Sequence, residues 1–243
     1  MIVNSLKDGW EIIYQRAHAN LAAMILSGWN KSDDIYRRTE TMIAVAQHDD
    51  QEMFWDDSVH LSKKGAPLDF LQGTLDTTIE QVPFVIANAY RQGLWIALMI
   101  SMHNTCLYEP QRGTKVAVDE FLDTLQKHQT DWRKQLGISK AVVEKSYAYM
   151  LFADTLSLIL CRRQLPLQGR RLEVSPTPDN DMVLVYQRED DSLTIEPWIF
   201  EETQMEFSLE TRRLDQLSFK SEAEFKKALD EARIEIVTWN FRK

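Results

Sequence analysis

The chain has 243 residues, 44% of them hydrophobic, which is enough apolar material for one large core or for a main domain with a smaller one. Its 37 acidic and 28 basic side chains give a formal net charge of −9, which opposes binding to nucleic acids and to anionic membranes. Two cysteines are too few for a disulfide framework, and Lys7, Asp8 and Glu11 interrupt the apolar core that a secretory signal needs. We therefore expect a cytoplasmic protein, a monomer or homodimer, with no nucleic-acid or membrane partner.

The first two predicted helices are amphipathic. Between Gly9 and Gly28 apolar residues recur at three- and four-residue spacing, which predicts a helix with His18 on or beside its buried face. A second helix is predicted from about Ser32 to Gln47, with acidic N-cap material at its start and His48-Asp49-Asp50 directly after it. The following segment, from Asp57 to Phe70, is predicted to be a loop.

Two more helical patterns come next. One runs from Thr77 to Gln92, with an interruption expected at Pro83. The other is the apolar run from Leu94 to Glu109, and His103 lies near its end.

The last two helices of this part of the chain have clear end signals. A more polar stretch from Val116 to Leu136 predicts a surface helix that stops at Gly137. Ser139 is the predicted N-cap of a long helix from Lys140 to Cys161. Because the end of that helix is apolar on all sides, we expect it to be central and buried, with Asp154 as its only formal charge after residue 146.

After Pro166 the pattern changes to short runs rich in Val, Ile, Leu and aromatic residues, separated by turn signals, and such runs are typical of strands. A capping box of Ser221 and Glu224 predicts one helix before a last strand. The prediction is a mainly α protein, with a helical domain at 1–164 and a small C-terminal antiparallel sheet plus one helix at 165–243, packed on the core.

Five polar residues lie in or at the end of these apolar segments: His18, His48, Asp49, His103 and Asp154. Each alone has an ordinary explanation, because a buried histidine is commonly just hydrogen-bonded and a buried carboxylate can pair with an arginine or cap a helix. One shared divalent metal explains all five together, since a carboxylate stripped of water needs a cationic partner. We expect these five residues to bind the metal.

Mixed nitrogen and oxygen ligands suit Fe, Mn, Zn, Co or Ni better than Ca, which prefers an all-oxygen shell. The sequence does not choose among these metals or between one ion and two. His60 and His128 are left out of the ligand set because the first lies in a predicted loop and the second in a polar helix, where solvent exposure is expected.

The order His18, His48-Asp49, Asp154 resembles the HD-domain superfamily, named for an adjacent His-Asp pair that binds metal with an earlier His and a later Asp. The segment FADTLSL resembles the closing helix of that superfamily, and His103 is similar to a histidine that some branches add. The resemblance implies an HD-like helical bundle with a metal site. The whole chain also resembles an uncharacterised bacterial family, a domain of unknown function with an HD-like core, in segments such as RAHANLAAMI and AVAQHDD.

The resemblance implies a metal-dependent phosphohydrolase acting on a phosphomonoester or phosphodiester, such as a nucleotide, with a metal-activated water as nucleophile. Asp50 is a candidate for the base that takes the proton, and Arg16 and Arg91 are candidates for binding the substrate phosphate. One alternative is an HD-type di-iron oxygenase. Another is a non-catalytic ligand-binding or regulatory protein, favoured because Gln51-Glu52 replaces the Gly-Trp that usually follows the pair in the family.

Overall fold

The computed structural model describes residues 1–50, 55, 58–73 and 75–243. Gln51, Glu52 and Asp57, to which the sequence analysis refers, lie outside these residues. The α-helices are α1 (Gln15–Ser27), α2 (Arg38–Ala46), α3 (Leu75–Gln92), α4 (Leu94–Tyr108), α5 (Val116–Leu136), α6 (Lys140–Cys161) and α7 (Glu222–Asp230). The β-strands are β1 (Ile2–Leu6), β2 (Gly9–Ile13), β3 (Leu172–Pro176), β4 (Met182–Gln187), β5 (Leu193–Glu196), β6 (Gln204–Leu214) and β7 (Arg233–Arg242).

The strands form one seven-stranded sheet in the order β1-β2-β6-β7-β5-β4-β3. Neighbouring strands are antiparallel except β5 and β7, which pair in parallel through Leu193 and Phe241. The pairing of Trp10 in β2 with Leu214 in β6 joins the N-terminal hairpin to the C-terminal strands. Both ends of the chain therefore belong to the same sheet.

The predicted fold class, a mainly α, HD-like helical bundle with a small C-terminal antiparallel sheet, is wrong. The chain is 48% helix and 21% strand, and its sheet is mixed and half-barrel in shape. The error began at the N-terminus, where the helix predicted from Gly9 is a strand to Ile13, and helix α1 starts only at Gln15. Ile12 and Ile13 are both fully buried, and a short apolar run of this kind fits a strand as well as a helix.

Two smaller predictions also differ from the structure. Helix α2 begins at Arg38, six residues later than predicted, because Asp33 accepts a hydrogen bond from the Trp29 indole instead of capping the helix. Helix α3 runs through Pro83 without the expected interruption.

Several end signals are confirmed. Gly137 ends α5 with a φ of 67°, and the Ser139 hydroxyl accepts a hydrogen bond from the Val142 amide at the start of α6. Ser221 caps α7 in the same way through the Glu224 amide. The predicted tail strands are also present as β3 to β7.

Helix α6 is the central helix, as predicted. It packs against α1, α2 and α4 on the helical side and against β3 on the sheet side. The main hydrophobic cluster reaches from Ile2 in β1 to Phe241 in β7, so it draws on both parts of the chain. The division into domains at 1–164 and 165–243 stays a prediction. No helix in the described part of the chain combines the length and the apolar character that crossing a membrane requires.

Candidate metal centre

The structure brings the five candidate ligands together. His18 is in α1, His48 and Asp49 directly follow α2, His103 is in α4 and Asp154 is in α6. Their nitrogen and oxygen atoms form two groups that share His48, one with His18 and Asp49 and the other with His103 and Asp154. The other three elements pack against α6, so positions far apart in the sequence meet in the helical layer.

The site is almost closed to solvent. His18 is 0% exposed, His48 1%, His103 2% and Asp154 5%, whereas the Asp49 side chain is 16% exposed. Carboxylates and imidazoles withdrawn from water this far need partners that replace their hydration. Because Asp49 is the most exposed of the five residues, a ligand would reach the cluster from the side of Asp49.

The distances between donor atoms lie on both sides of the spacing expected for ligands around a metal ion. His18 Nε2 lies 2.6 Å from Asp49 Oδ2, and His48 Nε2 lies 3.1 Å from Asp154 Oδ1 and 3.7 Å from Asp49 Oδ2. Neighbouring ligands held at about 2.1 Å from a metal are about 3.0 Å apart in octahedral and about 3.4 Å apart in tetrahedral geometry. These residues therefore fit a divalent metal with nitrogen and oxygen ligands.

His48 presents a lone pair to Asp154 when its imidazole is neutral. Its Nδ1 lies 2.6 Å from the Val45 carbonyl oxygen, and a carbonyl only accepts, so Nδ1 carries the proton. Nε2 is then a bare acceptor facing a carboxylate oxygen, an arrangement that is repulsive unless a proton or a cation lies between the two atoms. Fixing one ring nitrogen through a backbone carbonyl is also the usual way in which proteins orient a metal-binding histidine.

Electrostatics places a proton on His48 in the metal-free protein. Burial opposes the charged imidazolium, but Asp49 and Asp154 outweigh it and raise the pKa of His48 to about 9. Burial likewise opposes ionisation of the two carboxyls, yet His48 above all holds the pKa of Asp49 and of Asp154 below the ordinary value. The centre thus contains two carboxylates with a cation between them, and a metal ion would replace that proton.

His103 remains neutral and suited to bind a metal. Its burial, together with the charge of His48, lowers the pKa of His103 to about 4. Its ring centroid lies 4.7 Å from that of His48, and its Nδ1 lies 3.5 Å from the Tyr147 hydroxyl. Burial raises the pKa of Tyr147, so this hydroxyl stays protonated.

The exposed edge of the site carries a pair of opposite charges. Gln15 Nε2 donates to Asp49 Oδ2 over 3.1 Å, and the neighbouring Arg16 donates from Nε to Asp50 Oδ1 over 2.9 Å. The candidate base Asp50 and the candidate phosphate ligand Arg16 are thus bound to each other beside Asp49. Arg91 is exposed in the last turn of α3, a helix that contributes no member of the cluster.

The two histidines left out of the ligand set belong to neither group of donor atoms. His128 is exposed, as predicted, and stacks on Trp132. The prediction of exposure is wrong for His60, which is half-buried. It stacks on Trp55 at 3.8 Å between ring centroids and donates from Nε2 to the Trp55 carbonyl.

Besides Gln15, sequence reasoning missed two residues that contact the candidate ligands. Ser157 Oγ lies 3.0 Å from His18 Nδ1, and the Tyr147 hydroxyl faces His103. A signal for both exists in the sequence, because Ser157 is one helical turn after Asp154 and Tyr147 is two turns before it. Residues at these spacings share a helix face with Asp154.

The geometry defines a candidate metal centre in which ligands from four separate segments converge on a buried point. The chain belongs to the family described as a protein of unknown function (DUF3891), whose sequence profile matches residues 1–216. All five candidate ligands lie inside the matched segment. Comparison with curated proteins and with solved structures gave no match.

Proposed function

We propose that the protein is a metal-dependent phosphohydrolase with an HD-type ligand set, acting on a phosphomonoester or phosphodiester such as a nucleotide. The proposal rests on one observation, that His18, His48, Asp49 and Asp154 converge in the order typical of the HD superfamily, with His103 beside them. Convergence from four segments is unlike a chance surface cluster, because four of the five residues are buried.

Fe, Mn, Zn, Co and Ni all suit this donor set. Such an ion would supply a Lewis acid that polarises a phosphoryl oxygen and lowers the pKa of water. Asp49 and Asp154 would supply the negative charge that holds a divalent cation in a buried site, and His18, His48 and His103 would supply nitrogen ligands.

Arg16 and Asp50 have paired roles in the proposed reaction. A substrate phosphate approaching beside Asp49 meets the Arg16 guanidinium, whose side chain is 52% exposed. Since arginine binds phosphate through parallel hydrogen bonds, the substrate competes with Asp50 for this side chain. Asp50, once released from Arg16, accepts the proton of the attacking water.

The same ion pair supports a second candidate function, a ligand-binding or regulatory protein without turnover. As long as Arg16 remains bound to Asp50, the candidate base and the candidate phosphate ligand neutralise each other. A protein of this class binds a phosphoester or another anion and releases it unchanged.

The first experiment is elemental analysis of the purified protein, followed by a screen of phosphomonoesters and phosphodiesters with each candidate metal. The test variant is Asp154→Asn, which keeps the shape of the side chain and removes its charge. Asp131→Asn is the matched control because Asp131 is exposed on α5 and belongs to neither ligand group. We expect about one equivalent of metal or more and phosphoester hydrolysis in the wild type and in Asp131→Asn, and loss of both in Asp154→Asn.

Three other outcomes would change the proposal. Metal without hydrolysis of any phosphoester, together with tight binding of one of them, supports the non-catalytic candidate. About two equivalents of iron with visible absorption support the di-iron oxygenase alternative. Wild-type protein that takes up no metal even after loading contradicts the metal site itself.

A further inference from the structure

Ser157 connects two of the candidate ligands. Its hydroxyl lies 3.0 Å from His18 Nδ1 and 2.8 Å from the main-chain carbonyl oxygen of Asp154. Ser157 and His18 are both 0% exposed. The connection therefore runs from α1 to α6 in a region from which water is excluded.

If both contacts are hydrogen bonds and His18 binds the metal through Nε2, only one arrangement of protons satisfies Ser157 and its two neighbours. The Asp154 carbonyl accepts, so the single proton of the hydroxyl is donated to it. The oxygen of Ser157 then has only lone pairs left for His18, and it accepts the proton on Nδ1. This pattern, in which a serine donates to a carbonyl of the preceding turn, is common within helices and fixes the hydroxyl rotamer.

We infer that Ser157 is a positioning residue that, when His18 binds the metal, holds the His18 proton on Nδ1 and so keeps Nε2 directed at the metal. In the metal-free protein Nε2 faces Asp49 Oδ2 at 2.6 Å instead. This inference rests on the proposed metal site and extends it by assigning a role to a residue that does not itself bind the metal. His48 is held by a backbone carbonyl, which no substitution removes, whereas the support of His18 is a side chain that can be replaced.

Loss of the hydroxyl would give the His18 proton another acceptor. Asp154 Oδ1 lies 3.9 Å from His18 Nδ1, beyond hydrogen-bond distance while Ser157 holds the ring. In Ser157→Ala a small rotation of the imidazole brings Nδ1 to this carboxylate oxygen, which is also the oxygen nearest to His48. One substitution would then misdirect His18 and occupy Asp154 at the same time.

Metal affinity provides the first test, with Ser146→Ala as a matched control. Ser146 is also on α6, is 1% exposed and also donates to a carbonyl of the preceding turn, that of Val142. Zinc affinity is measured by competition with a chelator on the full chain. Removal of an outer hydrogen-bond partner of a metal ligand costs about 10- to 100-fold in affinity. We expect a loss of this size in Ser157→Ala and a change of less than about 3-fold in Ser146→Ala.

The second test reads the proton directly. Zinc-bound protein labelled with ¹⁵N at histidine should give an Nδ1–H signal for His18 that is coupled through space to Ser157. This signal should persist in Ser146→Ala and should disappear or shift in Ser157→Ala, where Nδ1 turns toward Asp154. If Ser157 only fills space, the wild type shows no such coupling.

Either of two results would overturn the inference. One is zinc affinity in Ser157→Ala equal to that of Ser146→Ala, and the other is a zinc-bound wild type in which Nδ1 of His18 carries no proton. Wild-type protein that binds no zinc contradicts the metal proposal, whereas zinc binding that is equally tight in both variants contradicts only the role of Ser157. The two failures are therefore distinguishable.

Discussion

Metal binding should release a proton from His48 and should therefore weaken as the pH falls. The pKa of His48 in the metal-free protein is raised to about 9, so the imidazole is protonated at neutral pH and the metal must displace that proton. At pH 7 only about one molecule in a hundred has a neutral His48. The cost is about 100-fold in apparent affinity, or about 3 kcal/mol.

The pH dependence has a definite sign and slope. Below pH 9 the apparent affinity should fall about tenfold for each unit of decreasing pH, and above pH 9 it should level off. Asp49 and Asp154 add nothing to the slope at neutral pH, because the pKa of each is below its ordinary value and both are already ionised. His103, with its pKa lowered to about 4, is likewise already neutral.

The assay is a chelator-competition titration with zinc at pH 7.0, 7.5, 8.0 and 8.5, together with calorimetry at pH 7.5 in two buffers of different ionisation enthalpy. Calorimetry counts the protons released, and we expect at least one. His128→Ala is the control for loss of a histidine outside the site, and it should show the wild-type slope. Affinity that stays constant over this range, or binding without proton release, would refute the reasoning about His48.

Three further predictions concern stability. Gly65→Ala should lower the free energy of unfolding by more than Gly113→Ala in urea titrations. Both glycines have φ near +80°, but a Cβ at Gly65 would lie 2.1 Å from the Phe219 carbonyl oxygen, whereas one at Gly113 meets nothing within 4 Å; equal losses would contradict this. Arg163→Ala should lower the free energy of unfolding by about 1–3 kcal/mol, because it removes the ion-pair partner of the buried Glu11 carboxylate. The loss is limited because Arg163 is half-exposed and its charge is partly screened by solvent. An unchanged urea midpoint argues against this role. Saturating zinc should raise the melting temperature of the wild type but not of Asp154→Asn, as measured by calorimetry, and an equal rise in both would place the metal elsewhere.

Much of the helical layer could be predicted because its signals are local. Gly137 and Ser139 mark the end of α5 and the start of α6, and the apolar surroundings of Asp154 mark α6 as buried. The five ligand candidates were found by the same reasoning, since a charged or polar residue in an apolar helix needs a compensating partner.

The sheet could not be predicted in full because its pairing is not local. Residues 9–13 are apolar at a spacing that fits a helix or a strand, and only contact with β6 decides between the two. The same limit applies to the site. The ion pair of Arg16 with Asp50 depends on how α1 packs against the end of α2. The hydrogen bond between Ser157 and His18 depends on how α1 packs against α6.

The pairing of β2 with β6 has a consequence for the order in which the molecule is made. Helix α1, which carries His18, starts two residues after β2, and the strand that fixes β2 is synthesised about 200 residues later. During translation the N-terminal hairpin must wait for β6 to leave the ribosome, although all five ligand residues have already emerged. All five candidate ligands are therefore available to a metal before the sheet closes. Pairing of β6 with β2 would then be the folding step that fixes the site in its final geometry.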